Sequence, residues 1–118
     1  LFAGRGIESR HVADNAEGIR LITDWIRGTR SGLLFCNLVD FDQLYGHRND
    51  ATGFHQALRA FDASLPALRA PLREDDLLFL TADHGNDPTT PSTDHSREYV
   101  PVLVYGDAVQ PGADVGTQ

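Results

Sequence analysis

The sequence has no lysine, no methionine, a single cysteine and no long apolar run. A transmembrane helix needs about eighteen consecutive apolar residues, and a targeting peptide needs its own charged and apolar regions; neither pattern occurs, so no membrane partner is expected. The ten cationic side chains are all arginines, scattered from Arg5 to Arg97 against 17 acids, for a net charge of -7. Phosphate backbones are held by clustered basic side chains, so no nucleic-acid partner is expected either. A lone cysteine, Cys36, excludes an intrachain disulfide and fits a reducing compartment such as the cytoplasm. It lies in the apolar run from Gly32 to Val39 and reads as core. The missing initiator and the apolar start Leu1-Phe2-Ala3 are expected of a piece of a longer protein.

What is present is the composition of one small globular domain: 118 residues, 41% hydrophobic and 23% charged. Aspartate outnumbers glutamate thirteen to four. Aspartate favours turns and caps, and it is a hard oxygen ligand for divalent cations. Periodicity predicts an α/β fold, a mostly parallel sheet flanked by helices. Residues 1–3 read as a strand end and Gly4-Arg5-Gly6 as a turn. Asp14 or Asn15 caps a helix near 15–27, whose apolar stripe is Ile19, Ile22, Trp25 and Ile26 and which Gly28 closes. Phe54, Leu58, Phe61, Leu65 and Leu68 mark a second helix over 53–69, with Pro66 expected to kink it or end its first segment. His11 and His55 fall outside that apolar face and read as solvated surface. Strands are expected at 33–39, buried on both faces, at 77–81 and at 100–105, all in one sheet. Pro101 suggests that the last of these starts unpaired. Between the last two lies a polar loop of sixteen residues, Asp83 to Glu98, a length uncommon without a function.

Three polar clusters follow or lie beyond strand ends: Asp40-Phe41-Asp42-Gln43-Leu44-Tyr45-Gly46-His47, Thr81-Ala82-Asp83-His84-Gly85-Asn86-Asp87 and Thr93-Asp94-His95-Ser96-Arg97-Glu98. The carboxyl ends of strands form the ligand crevice of open α/β sheets, so the three can converge on one site. Any one Asp and His pair also reads as a cap beside a surface histidine. Three of the five histidines in such segments, each near an aspartate, shift the balance toward a metal centre. Carboxylates with neutral imidazoles suit Zn²⁺, Mn²⁺ or Fe²⁺. Five or six such groups exceed one ion's needs, and two ions about 3.5 to 4 Å apart clamp the attacking and leaving oxygens of phosphoryl transfer.

The order Asn37-Leu38-Val39-Asp40-Phe41-Asp42, Tyr45-Gly46-His47, Thr81-Ala82-Asp83-His84-Gly85-Asn86-Asp87-Pro88 and His95-Ser96-Arg97-Glu98-Tyr99-Val100-Pro101 resembles the phosphopentomutases of the alkaline phosphatase superfamily. The resemblance covers nearly the whole chain and implies an alkaline-phosphatase-like core. It implies that Asp42, His47 and His95 hold one metal ion and Asp83 with His84 the second, the ions being Mn²⁺, and that Asp40 orients a ligand or its loop. The implied substrate is a small sugar phosphate, ribose 1-phosphate or ribose 5-phosphate and their deoxy counterparts.

Family members are longer. They carry a phosphorylated threonine, another aspartate ligand and a cap domain that have no counterpart here. Residues 1–118 are therefore expected to be the C-terminal part of the metal-binding core, incomplete at both ends, without the cap and with no catalytic nucleophile of its own. Another phosphatase or mutase of the superfamily, or a non-catalytic metal-binding fragment, are the competing expectations.

Overall fold

The computed structural model describes residues 6–28 and 31–117. The expected strand end at 1–3 and most of the turn at 4–6 lie outside them. Helix α1 is Asn15–Arg27. Asp14 caps it by accepting from the Glu17 N–H at 2.7 Å, while the Glu17 carboxylate reaches back to the Ala13 N–H at 2.8 Å. This reciprocal arrangement satisfies amides that the first turn leaves unpaired, and losing such a cap costs about 1 kcal/mol. At the other end the Gly28 N–H bonds to Trp25 O.

Helix α2 is Ala51–Arg69, capped by Asp50, whose side chain accepts from the Gly53 N–H at 2.9 Å. Pro66 does not end it. The ring removes one N–H, whose carbonyl partner would be at Asp62; both residues are exposed, so the lost bond lies on the solvent side of the helix. His11 and His55 are exposed, as the apolar pattern implied. The buried centre is small: Ile26 of α1, Leu68 of α2, and Thr23, whose hydroxyl donates to Ile19 O at 2.8 Å. A Cα radius of gyration of 15.6 Å exceeds the value of about 13.5 Å for a compact chain of this length, which agrees with so slight a core.

The sheet differs from expectation. Strand β1, Leu78–Thr81, and strand β2, Val102–Tyr105, pair antiparallel, with Leu78 opposite Tyr105 and Thr81 opposite Val102. The sequence pattern predicts a mostly parallel sheet, but parallel neighbours need a crossover, usually helical. Residues 82–101 contain no helix and simply turn the chain back. Pairing does begin after Pro101, as expected. The predicted strand at 33–39 is not formed, and Leu33 and Phe35 are 94% and 78% exposed rather than buried. An apolar run becomes a strand only when a neighbouring backbone completes its ladder, and no described segment does so. Its second half packs on α1 instead, with Leu38 and Cys36 lying over Gly18. Burial pushes the half-buried Cys36 thiol pKa up. Among the described residues no helix is long and apolar enough to cross a membrane.

Candidate metal centre

The first polar cluster is helical, where the sequence suggested a loop. Phe41–Tyr45 form a widened π turn and Gly46–Arg48 a 3-10 turn. The Gly46 N–H bonds to the carbonyls of both Phe41 and Asp42. The bond to Phe41 spans five residues, which defines the wider turn. An α-helix has about 3.6 residues per turn and would swing residues five apart away from each other; the wider turn brings Asp42 and His47 to one side. Phe41 anchors it on α2, its ring edge-on to Phe54 at 5.8 Å and to Phe61 at 6.5 Å. Asn49, in the left-handed region at φ 51°, ends the segment.

His95 arrives from the long loop. That loop is pinned to the segment after β1 by one antiparallel bridge, Gly85 to Ser96, with the Ser96 N–H bonding to Gly85 O at 3.0 Å. A Cβ at residue 85 would stand 2.5 Å from Glu98 O and 2.8 Å from Ser96 O, so only glycine permits this approach. The bridge sets His84 beside His95, and their rings stack with centroids 3.5 Å apart and planes 15° apart.

Asp42, His47 and His95 each bring a ligating atom to one place, all within 4.8 Å of one another. His47 Nε2 is 3.3 Å from Asp42 Oδ2 and 3.2 Å from His95 Nε2, and His95 Nε2 is 3.4 Å from Asp42 Oδ1. Ligands about 2.0 to 2.2 Å from a shared ion, at right or tetrahedral angles, stand roughly 2.8 to 3.6 Å apart. The donor set therefore fits a divalent ion in spacing as well as in chemistry. The His47 Nδ1–H donates to the Thr93 carbonyl at 2.5 Å. A carbonyl only accepts, so in the neutral ring the proton sits on Nδ1 and Nε2 turns its lone pair to the cluster.

The other candidates stand differently. His84 reaches the cluster through its stack on His95; its Nε2 is 3.6 Å from Asp83 Oδ1, and its Nδ1 is 3.2 Å from Gly85 O. The Asp83 side chain is 78% exposed, and neither residue belongs to the three-residue group. Asp40 faces α1: its carboxylate accepts from the Asn15 N–H at 2.9 Å, and its own N–H donates to Asn15 Oδ1 at 3.1 Å.

Sequence reasoning missed Asn86, whose side-chain amide donates to Asp42 Oδ1 at 3.2 Å, and Asn15. The only signal for Asn86 was its place after Asp83-His84-Gly85, and for Asn15 there was none beyond a possible cap. Farther along the loop, Asp87 accepts from the Thr89 hydroxyl at 2.6 Å and the Thr89 N–H at 2.9 Å. These two bonds, the hydroxyl's first, hold the Asp87 carboxyl pKa below its usual value.

Residues 5–118 match a family described as the metalloenzyme superfamily. The chain is 56% identical over 119 residues to a phosphopentomutase of Acetivibrio thermocellus, covering 100% of this chain and 31% of that protein. It is 55% identical to a phosphopentomutase of Symbiobacterium thermophilum, again over 100% of this chain and 30% of the relative. Against one from Dictyoglomus thermophilum the identity is 60% over 106 residues, 89% of this chain and 27% of the relative. The chain thus spans somewhat under a third of the length of these curated relatives.

Proposed function

The chain belongs to the metalloenzyme superfamily, and from that membership we propose that it is part of the metal-binding core of a phosphopentomutase. In this reading the intact protein interconverts ribose 1-phosphate and ribose 5-phosphate, and their deoxy counterparts, by phosphoryl transfer. One observation carries the proposal: an aspartate and two histidines from segments 48 residues apart meet at ligand spacing, in a chain more than half identical throughout to phosphopentomutases.

The Asp42 carboxylate, His47 Nε2 and His95 Nε2 would hold one ion, and Asp83 with His84 would contribute to a second. Mixed carboxylate and imidazole sets suit borderline divalent ions, and the resemblance to the phosphopentomutases makes Mn²⁺ our proposal for both. When bound, the ions supply positive charge to the oxygens of the transferring phosphoryl group. The chain's own residues prepare the place. Thr93 fixes the His47 tautomer, the Gly85 bridge delivers His95, and the stack on His84 limits the tilt of the His95 ring. The protein fits the cytoplasm, where a free thiol such as Cys36 persists.

The same proposal includes a larger, mostly parallel sheet. Its support is the apolar surface left open on Leu33, Phe35, Phe79 and Leu103, each more than half exposed. The test is to assay the intact protein with Mn²⁺ on ribose 1-phosphate and on 4-nitrophenyl phosphate. Ribose 5-phosphate formation, with ester hydrolysis far slower, is expected; hydrolysis of both substrates without isomerisation would make it a phosphatase of the same superfamily.

A further inference from the structure

We infer that Asn86 is a positioning residue that fixes the rotation of the Asp42 carboxylate toward the metal, an inference that rests on the reading of Asp42, His47 and His95 as ligands. The Asn86 amide is wedged between two parts of the π-turn segment. Its Nδ2–H donates to Asp42 Oδ1 at 3.2 Å across a separation of 44 residues. Its plane also lies directly against the backbone of Gly46: a Cβ there would overlap Asn86 Nδ2 and stand 2.7 Å from its Cγ. Gly46 itself is buried and provides the N–H that closes the π turn.

The chemistry follows from the donor. A carboxylate on a short side chain rotates about its last bond and presents either oxygen. The Asn86 N–H engages Oδ1, and this holds the carboxylate with Oδ1 3.4 Å from His95 Nε2 and Oδ2 3.3 Å from His47 Nε2, one oxygen toward each imidazole. Amide nitrogen suits this task because it donates without carrying a positive charge that would repel the ion, and metal-ligating carboxylates are characteristically held by such bonds. Asn86 also sits on the segment that carries Asp83 and His84, three and two residues beyond them. It therefore ties the two proposed sets of ligands together, so that the spacing between the sets is held partly by one side chain. Gly46 is the second half of the device, since any side chain there evicts the amide.

The experiment measures Mn²⁺ binding to the intact protein by the loss of the free-ion electron paramagnetic resonance signal, beside its metal-free melting temperature. The proteins compared are the wild type, Asn86→Ala, Asn86→Leu and Asp42→Ala. Leucine keeps the branched outline of asparagine, though it is bulkier, and has no donor. A positioning role predicts that both Asn86 variants lose about 10- to 100-fold in affinity, with leucine no better than alanine. Gly46→Ala should lower affinity in the wild type and add little in the Asn86→Leu background. Restoration of wild-type affinity by leucine would reduce Asn86 to packing and overturn the inference. Loss of binding in Asp42→Ala with none in either Asn86 variant would overturn it while leaving the ligand reading intact. A wild-type protein that binds no Mn²⁺ would overturn both.

Discussion

Asn15 and Asp40 exchange two hydrogen bonds across 25 residues, each side chain binding the other's backbone N–H. Asp40 stands immediately before the π turn that carries Asp42, so the first turn of α1 is bolted to the base of the candidate centre. Neither residue touches the ligand cluster in this arrangement; the pair acts on its foundation. Each bond is part-buried, and an intramolecular hydrogen bond contributes about 1 kcal/mol net, more where a carboxylate accepts. Asn15→Ala should therefore lower stability by about 1 to 2 kcal/mol. In a double-mutant cycle, Asp40→Ala should add much less in the Asn15→Ala background than alone, as read by urea unfolding. Additive losses would show that the two bonds are not one unit.

Loss of the ligands is the second expectation. Asp42→Ala with His47→Ala removes two of the three atoms that meet at ligand spacing, so Mn²⁺ binding at that centre should vanish in a calorimetric titration. His95→Ala alone should weaken it by at least tenfold. Undiminished binding in the double variant would place the ion elsewhere.

Gly85 offers a stricter test of how the loop delivers His95. In Gly85→Ala the new methyl meets backbone on the facing segment, and backbone cannot swing aside as a side chain does. Overpacking of this kind costs about 1 to 3 kcal/mol. The Ser96 bridge should break, and the stack of His84 on His95 with it. A drop in both melting temperature and Mn²⁺ affinity is expected, whereas Gly112→Ala, at an open turn, should leave the affinity unchanged.

Much of this was legible from residue pattern, and the reasons are specific. Ile19, Ile22, Trp25 and Ile26 disclose α1, and Phe54, Phe61 and Leu68 disclose α2, because a helix makes its own hydrogen bonds and needs only one apolar stripe to dock. A strand has no such independence. Leu33 to Val39 is as apolar as Leu77 to Thr81, yet only the second finds a partner, in β2. The π turn was hidden for another reason: its polar residues look like a loop, and Phe41, which docks it on α2, meets Phe54 and Phe61 well beyond its own neighbourhood in sequence. Asn86 was hidden because its function lies in a contact 44 residues away.

Cys36 gives a prediction about pH. Burial raises its pKa, so at any given pH the folded protein holds less thiolate than an unfolded chain. Its contribution to stability is present below the unfolded pKa and is lost as pH rises through the folded value. Alkylation by iodoacetamide near pH 8.5, about the ordinary cysteine value, should run slower in the folded protein than in urea. The pH midpoint of the rate should also shift upward. Equal rates in both states would mean that Leu38 and α1 do not cover the sulfur.

The 118-residue polypeptide on its own should be inactive, for a reason rooted in phosphoryl transfer. A mutase must park the phosphoryl group on an acceptor between its two half-reactions, as the phosphothreonine of the resembled family does. None of Thr81, Thr89, Thr90 and Thr93 stands at a strand-to-helix turn, where the resembled family has its nucleophile, and the Thr89 and Thr90 hydroxyls both donate to Asp87. Asp83 and His84 are also too few to hold a second ion tightly. We therefore expect loose Mn²⁺ binding by the isolated polypeptide and no turnover when it is incubated with ribose 1-phosphate, Mn²⁺ and an activating sugar bisphosphate. Ribose 5-phosphate above a heat-killed control would mean that one of these threonines can accept the phosphoryl group from where it stands.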